Sequence, residues 1–306
     1  MRIAFFGLPI AALLLHHDGH TLVHAAICRP GANGTRRLRT RLGASRVSSK
    51  PVLTKSFVEG LRREAPDLVV SWFWTTLLPK EVLDLAPLGT VGVHPSLLPA
   101  LRGPDPYFWA IDSGLTTTGV TAHVLAESYD TGDVFATREL AIDPGWNAWT
   151  LAKRMDRPSL SLLRDVVGRF AREGRPTPRV QDHALATEAP EPNDDDLEIR
   201  WSWTSDRIAR RVRAAAPWPG AFTELGDVVV TLTEVAPTRA YPGVLEPGEA
   251  AVVTRDGRTR ALVRTGDGAL ELVRGRVDDD DGERDLDADA FVALVKGATE
   301  GASDAD

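Results

Sequence analysis

Cysteine is nearly missing from this 306-residue sequence, with Cys28 the single example. An internal disulfide is therefore excluded, and the apolar run around Cys28 reads as a buried strand thiol, which fits a reducing cytoplasm. Long hydrophobic runs are missing too. None reaches the ~18 residues of a membrane-spanning helix, so no membrane is expected as a partner. The opening MRIAFFGLPIAALLL has an apolar core of the signal-peptide kind, but Gly7 and Pro9 break it and one arginine is its only charge, so no secretory leader is expected. Positive charge is short overall, at a formal net of −7, which argues against binding nucleic acid through bulk charge and leaves only a local basic patch for that purpose. The turn Gly7-Leu8-Pro9 lacks the further glycines of a dinucleotide fingerprint. No histidine–cysteine–carboxylate spacing suggests zinc, since His16, His17 and His20 would point apart on a helix, and no metal is expected. Ser96 has no nucleophile-elbow context.

What is present is ordinary globular composition, 43% hydrophobic and 26% charged, in a chain long enough for one large or two ordinary domains. Residues 1–7 read as a strand, Ile10–His17 as a helix and His20–Cys28 as a second strand, a βαβ unit that implies a parallel sheet. From Arg29 to Lys50 the chain carries Arg29, Arg36, Arg37, Arg39, Arg41, Arg46 and Lys50 with no acid. This stretch reads either as a solvated loop or as a mobile anion-binding loop. Thr54–Glu64 reads as a helix capped by Thr54, Asp67–Trp72 as a buried strand, and Leu78–Leu85 as a helix. The aromatic run Trp72-Phe73-Trp74 falls at the carboxyl end of that strand, where ligands bind in open α/β sheets, although core filling is the slightly favoured reading for any one of the three. Gly119–Leu125 and Val134–Ile142 read as strands, and Leu151–Phe170 as a helix.

Ala186–Ile199 reads as a linker. Beyond it come an arginine-rich helix at Thr204–Ala214, five short strands near Ala221–Leu225, Val228–Val235, Ala250–Thr254, Arg260–Arg264 and Ala269–Val273, an acidic run at Asp278–Asp281, and a last helix near Ala288–Val295. Five small strands at this spacing suggest a β-barrel.

The chemistry concentrates between Thr90 and Val134. His94 ends a predicted strand, and Asp130 follows 36 positions later in a glycine-containing turn. A carboxylate within reach of an imidazole fixes its tautomer and lets it move a proton near neutral pH. Such pairs also arise by chance, but both residues here sit at strand ends in turns fixed by glycine and proline.

The run HPSLLPALRGPDPYFWAI, followed by GVTAHV and DTGD, resembles the formyltransferase family that uses 10-formyltetrahydrofolate, in its methionyl-tRNA formyltransferase branch. MRIAFFGLP, SWFWTTLLPKEVLDL, IRWSWTSDRIARRVRAAAPWPGAF and GDGALELVRG resemble that branch in the same order. The resemblance implies an α/β fold, with a Rossmann-like catalytic domain over residues 1–185 on a mostly parallel sheet, a linker at 186–199, and a small OB-like β-barrel domain over 200–306. It implies His94 and Asp130 as catalytic residues. It also implies a 10-formyltetrahydrofolate pocket formed by Phe73, Trp74, Leu78, Ser96, Leu97, Leu98, Pro99, Tyr129, Thr131 and Gly132, and acceptor contacts from Arg36, Arg37, Arg39 and Arg102.

Gly92 departs from the family pattern, standing where the family carries an asparagine thought to hydrogen-bond the developing oxyanion. One such donor is worth roughly 10²–10³ in rate. The chain's only asparagines, Asn33, Asn147 and Asn193, lie outside this motif. A backbone N–H, a water or protonated His94 would have to serve instead. From Arg200 onward 14 basic residues face 20 acidic ones, a balance of −6 that would repel an RNA backbone. The acceptor expected on these grounds is a small-molecule or peptide amine of specialised metabolism. The alternatives are methionyl-tRNA formyltransferase proper, with tRNA as partner, and a catalytically weakened folate-binding homologue.

Overall fold

The structure is a computed structural model and describes residues 1–279 and 282–303. In chain order its elements are β1 Arg2–Gly7, α1 Pro9–His17, β2 Thr21–Ile27, α2 Thr35–Leu42, β3 Val47–Ser49, α3 Lys55–Arg63, β4 Leu68–Trp72, α4 Lys80–Leu83, β5 Thr90–His94, α5 Pro106–Asp112, β6 Thr117–His123, β7 Val134–Ala141 and α6 Ala148–Glu173. There follow α7 Asp194–Leu197, α8 Ser205–Ala215, β8 Ala221–Leu225, β9 Val228–Thr238, β10 Ala250–Arg255, β11 Arg258–Arg264, β12 Ala269–Asp279, β13 Gly282–Leu286 and α9 Ala288–Ser303.

The first sheet has seven strands in the order β3-β2-β1-β4-β5-β6-β7. Its pairs from β3 to β5 are parallel, and β6 and β7 extend it antiparallel. Strand β4 is buried at every position, as a strand covered on both faces must be, which is why LVVSW reads as an unbroken apolar run. The chain leaves β1 toward β2 on one side and reaches β4 on the other. The carboxyl ends of β1 and β4 therefore mark the crevice where doubly wound sheets take ligands. Phe6, Val69, Leu78, Val82 and Leu85 form part of one core cluster on this sheet.

The second sheet is antiparallel and six-stranded, running β10-β11-β12-β9-β8, with β13 pairing β12. Only five strands are legible in the sequence. The sixth was hidden because GERDL buries Leu286 alone and carries no apolar alternation. Asp280 and Asp281 of the predicted acidic run lie outside the described residues.

The Arg29–Lys50 stretch is not a loop, because its centre folds as α2. Leu38 is fully buried and Thr35 nearly so, while Arg36, Arg37, Arg39 and Arg41 take the exposed positions of the helix. Burying a leucine is worth about 1.5–3 kcal/mol, enough to hold a two-turn helix whose other positions favour water.

The chain divides into two compact units. One comprises Met1–Pro106, Thr117–Ala141 and Arg154–Pro190, and the other Tyr107–Thr116, Ile142–Lys153 and the chain from Glu191 onward. This differs from the single boundary expected at 186–199. Within the second unit, the buried carboxylate of Asp112 accepts hydrogen bonds from Arg207 and Arg211 of α8, which ties residues 107–116 to the carboxyl-terminal part. Within the first, Arg102 donates its backbone N–H to Thr187, and Ala189 donates back to Arg102, so the start of the expected linker is docked.

Candidate active site

His94 ends β5 and is almost wholly buried. Its Nε2 lies 2.7 Å from the carbonyl oxygen of Leu101. A carbonyl can only accept, so Nε2 carries the proton and, in the neutral ring, Nδ1 is bare. That bare nitrogen faces Asp130 Oδ2 at 3.3 Å. Asp130 sits in the β6–β7 turn with φ +55°, a left-handed conformation that aspartate tolerates better than most residues. The same Oδ2 accepts the backbone N–H of Gly103 at 2.9 Å.

A second imidazole approaches the other carboxylate oxygen. His123, at the end of β6, is buried, and its Nδ1 lies 2.8 Å from the carbonyl of Val124, so Nδ1 donates and Nε2 is bare. Nε2 stands 3.6 Å from Asp130 Oδ1. Burial pushes the His123 ring down to about 4 from its ordinary 6.5, against the opposing pull of Asp130 and with help from His94 and Arg102. The site is thus one carboxylate flanked by two imidazoles, each with its N–H committed to a backbone carbonyl. A bare ring nitrogen therefore faces the carboxylate on either side, a seat for a proton delivered to the trio.

This has a measurable effect on stability. Between about pH 4 and pH 6.5 the unfolded chain protonates His123 while the folded chain does not. Folding stability contributed by the neutral ring is present in full above pH 6.5 and is lost as pH falls toward 4, by about 1–3 kcal/mol. Urea unfolding across that window should show a steeper fall for wild type than for His123→Gln. Equal slopes would refute the assignment.

The turn carrying Asp130 is clamped from behind. Buried Gln181 donates its amide to the carbonyls of Asp130, at 2.9 Å, and Gly132, at 2.5 Å, and accepts from Arg102 Nη2 at 2.7 Å. Arg102 also reaches His183 Nδ1 at 2.9 Å and is buried, so its guanidinium is spent on the interior and not on an acceptor. Gln181→Met would strip the clamp. A loss of about 1–3 kcal/mol in stability is expected together with reduced turnover, read by melting temperature and kcat; an unchanged kcat would show that the turn holds itself.

The remaining predicted residues divide. Ser96 is fully buried and donates to Ala100, while Leu98 N–H donates to Thr121 Oγ1, so the Ser96–Pro99 segment is braced against β6. Phe73 adopts φ +58°, half-buried, and its carbonyl accepts the Cys28 thiol, whose pKa burial raises. Trp74 packs edge-on to Phe6 at 5.4 Å, and its buried indole N–H has no partner among the described residues, a free donor of the kind a bound heterocycle could use. Tyr129 is exposed, and Thr131 donates to Ser128 within the turn. Leu78 belongs to the apolar core cluster. Arg36, Arg37 and Arg39 lie together on α2 and line two open grooves with Gly31, Asn33, Ser49 and Arg41, without an acidic residue. Among the described residues no group of histidine, cysteine and carboxylate side chains could hold a metal.

Gly92 faces the trio. A Cβ at this position would lie 2.4 Å from Leu125 Cδ2 and 3.5 Å from His123 Nε2. Leu125 and His123 thus occupy the space an asparagine would take. Protonated His94 is not free to replace that asparagine, because both its ring nitrogens are already engaged. His123, Leu125 and Gln181 were missed in the sequence. The alternation of β6 could have pointed to His123, but only once its pairing with β5 was known.

A family described as "Formyl transferase" matches residues 31–167, and "Formyl transferase, C-terminal domain" matches 193–292. The methionyl-tRNA formyltransferase of Desulfotalea psychrophila is 33% identical over 313 residues, covering 97% of this chain and 93% of its own. That of Anaeromyxobacter dehalogenans strain 2CP-1 is 39% identical over 290 residues, covering 90% and 91%. The chain belongs to the formyl transferase family. The family is one of enzymes, and the Rossmann-like sheet followed by an antiparallel-sheet domain is its fold. HypX from Aquifex aeolicus, solved with tetrahydrofolic acid, superposes with a TM-score of 0.66 at 21% identity over 98% of this chain, which spans 48% of the HypX chain. An N-formyltransferase from Helicobacter canadensis, solved with folinic acid and dTDP-3-aminofucose, gives 0.63 at 13% identity over 88% of this chain and 98% of its own. At these identities the two structures speak for the fold alone.

In this formyltransferase an asparagine at position 92 needs the Leu125 tip to move. Gly92→Asn alone is expected to be no faster than wild type. Adding Leu125→Ala should raise kcat above the single variant, recovering part of the roughly 10²–10³ one oxyanion donor contributes. Equal kcat in the two variants would refute this.

Proposed function

We propose that the protein transfers a formyl group from 10-formyltetrahydrofolate to the α-amine of methionyl-tRNA. The observation that carries this reading is likeness over more than nine-tenths of the length of curated methionyl-tRNA formyltransferases, in both domains. The donor supplies an activated formyl carbon; the chain's own residues supply position and proton movement. Attack requires a neutral amine, and Asp130, with a proton seat on either side, takes the proton the amine loses and returns it to N10 as the formyl C–N10 bond breaks and tetrahydrofolate leaves. The Gly103 N–H holds Asp130 Oδ2 in place, and His94, its Nε2–H fixed to Leu101, turns its bare Nδ1 to that oxygen as a seat for the proton. The exposed arginines of α2 offer charge for an RNA phosphate.

A small-molecule amine, the acceptor first expected from the sequence, stays as the second reading. It rests on the acid excess beyond Arg200. The test is one assay with two acceptors. Purified protein, 10-formyltetrahydrofolate and initiator methionyl-tRNA are expected to yield formyl-methionyl-tRNA, with tRNA binding that weakens steeply between low and high salt. Transfer to free amino acids or amino sugars, with none to methionyl-tRNA, would replace the first reading by the second.

A further inference from the structure

His123, the histidine of the GVTAHV run, is a buried titratable group to which the resemblance assigned no role, and its surroundings are specific. Gly92 and His123 are direct partners across the antiparallel β5–β6 ladder. Directly opposed residues project from the same face of a sheet, so a side chain at either position can reach the same space. Here β5 offers no side chain, and β6 offers an imidazole whose Nε2 lies 3.5 Å from where the Cβ of residue 92 would be.

We propose that His123 is a positioning residue for Asp130, sharing with Leu125 the space beside Gly92 and accepting through its bare Nε2 the proton taken up on Asp130 Oδ1. The tautomer carries the argument. With Nδ1–H given to Val124, Nε2 has only a lone pair to present. Its partner at 3.6 Å is a carboxylate oxygen that can donate only when protonated. The present separation is longer than a formed hydrogen bond, and catalytic contacts commonly tighten when substrate is bound. The ionisable groups acting on His123 are Asp130, His94 and Arg102; His94 and Arg102 favour the neutral ring. His123 therefore stabilises protonated Asp130 without becoming charged itself. It does not supply an N–H to an oxyanion, because its N–H points at the backbone.

The proposal rests on Asp130 serving formyl transfer, and the test separates the two. In the methionyl-tRNA assay, His123→Met removes the acceptor atom. It is expected to lower kcat by about tenfold or more, to leave KM for 10-formyltetrahydrofolate within about twofold, and to move the acid limb of the pH–rate profile to lower pH. His123→Gln restores an acceptor carbonyl that cannot titrate, and is expected to recover much of the lost kcat. Wild-type kcat with an unmoved limb in His123→Met would overturn the proposal. So would equal losses in Met and Gln variants that melt like wild type.

A measurement on unaltered protein covers the case in which the variants do not fold or the wild type transfers nothing. In ¹⁵N-histidine NMR of the full chain, His123 should be neutral with its proton on Nδ1 from neutral pH down to about pH 5. An Nε2–H tautomer or an imidazolium at neutral pH would overturn the proposal whatever the enzyme's acceptor proves to be.

Discussion

Asp130→Asn is expected to reduce kcat for formyl transfer by about 10²–10⁴ while leaving the protein as stable as wild type or more so. The two halves of this expectation come from the same geometry. An amide is the size of a carboxylate, so its oxygen can still accept the Gly103 N–H. Its NH₂ can then turn toward a bare imidazole nitrogen, His94 Nδ1 or His123 Nε2, that an ionised carboxylate leaves facing like density. Folding therefore gains a satisfied contact. Catalysis loses the one group among the three that can take the amine's proton with no N–H already committed to the backbone. Tetrahydrofolate release followed by absorbance gives kcat, and thermal melting gives stability. A variant within about tenfold of wild type would remove Asp130 from the reaction.

The parts of the site that were legible in the sequence are those written along one strand or one turn. His94 stands at the end of an apolar strand, and the DTGD turn is marked by its glycine, so both could be placed without knowing what lies opposite. The parts that were hidden depend on pairing between segments. His123 acquires meaning only when β6 is set against β5 in the register that opposes it to Gly92. Gln181 reaches the Asp130 turn from 51 residues away, and no local pattern announces it. Arg102 shows the opposite failure. The resemblance implies it as an acceptor contact, but the fold buries it against Gln181 and His183. In the same way seven cations without an acid read as loop, because nothing in composition reveals that Leu38 would be covered.

Gly132→Ala is expected to lose both activity and stability, although the substitution adds one methyl group to a turn whose φ is unremarkable. The reason is contact and not conformation. A Cβ at this position would lie 1.9 Å from the carbonyl oxygen of Val124 and 2.8 Å from its carbon. Both are backbone atoms, so no rotamer change relieves the overlap. The backbone cannot retreat freely either, since Val124 N–H donates to Asp133 at 2.8 Å and Gln181 donates to the Gly132 carbonyl. Relief requires the turn to shift by an ångström or more relative to the end of β6. Val124 also holds His123, because its carbonyl accepts the His123 Nδ1–H. One methyl thus displaces Asp130 and the ring beside it together. A misplacement of that size costs about 10² in rate, and overpacking in a braced turn typically costs about 1–3 kcal/mol. Gly132→Ala should therefore melt below wild type and turn over about a hundredfold more slowly. If melting falls while kcat stays near wild type, the Val124–Asp133 contact stabilises the turn without placing Asp130, and the close approach at Gly132 is structural alone.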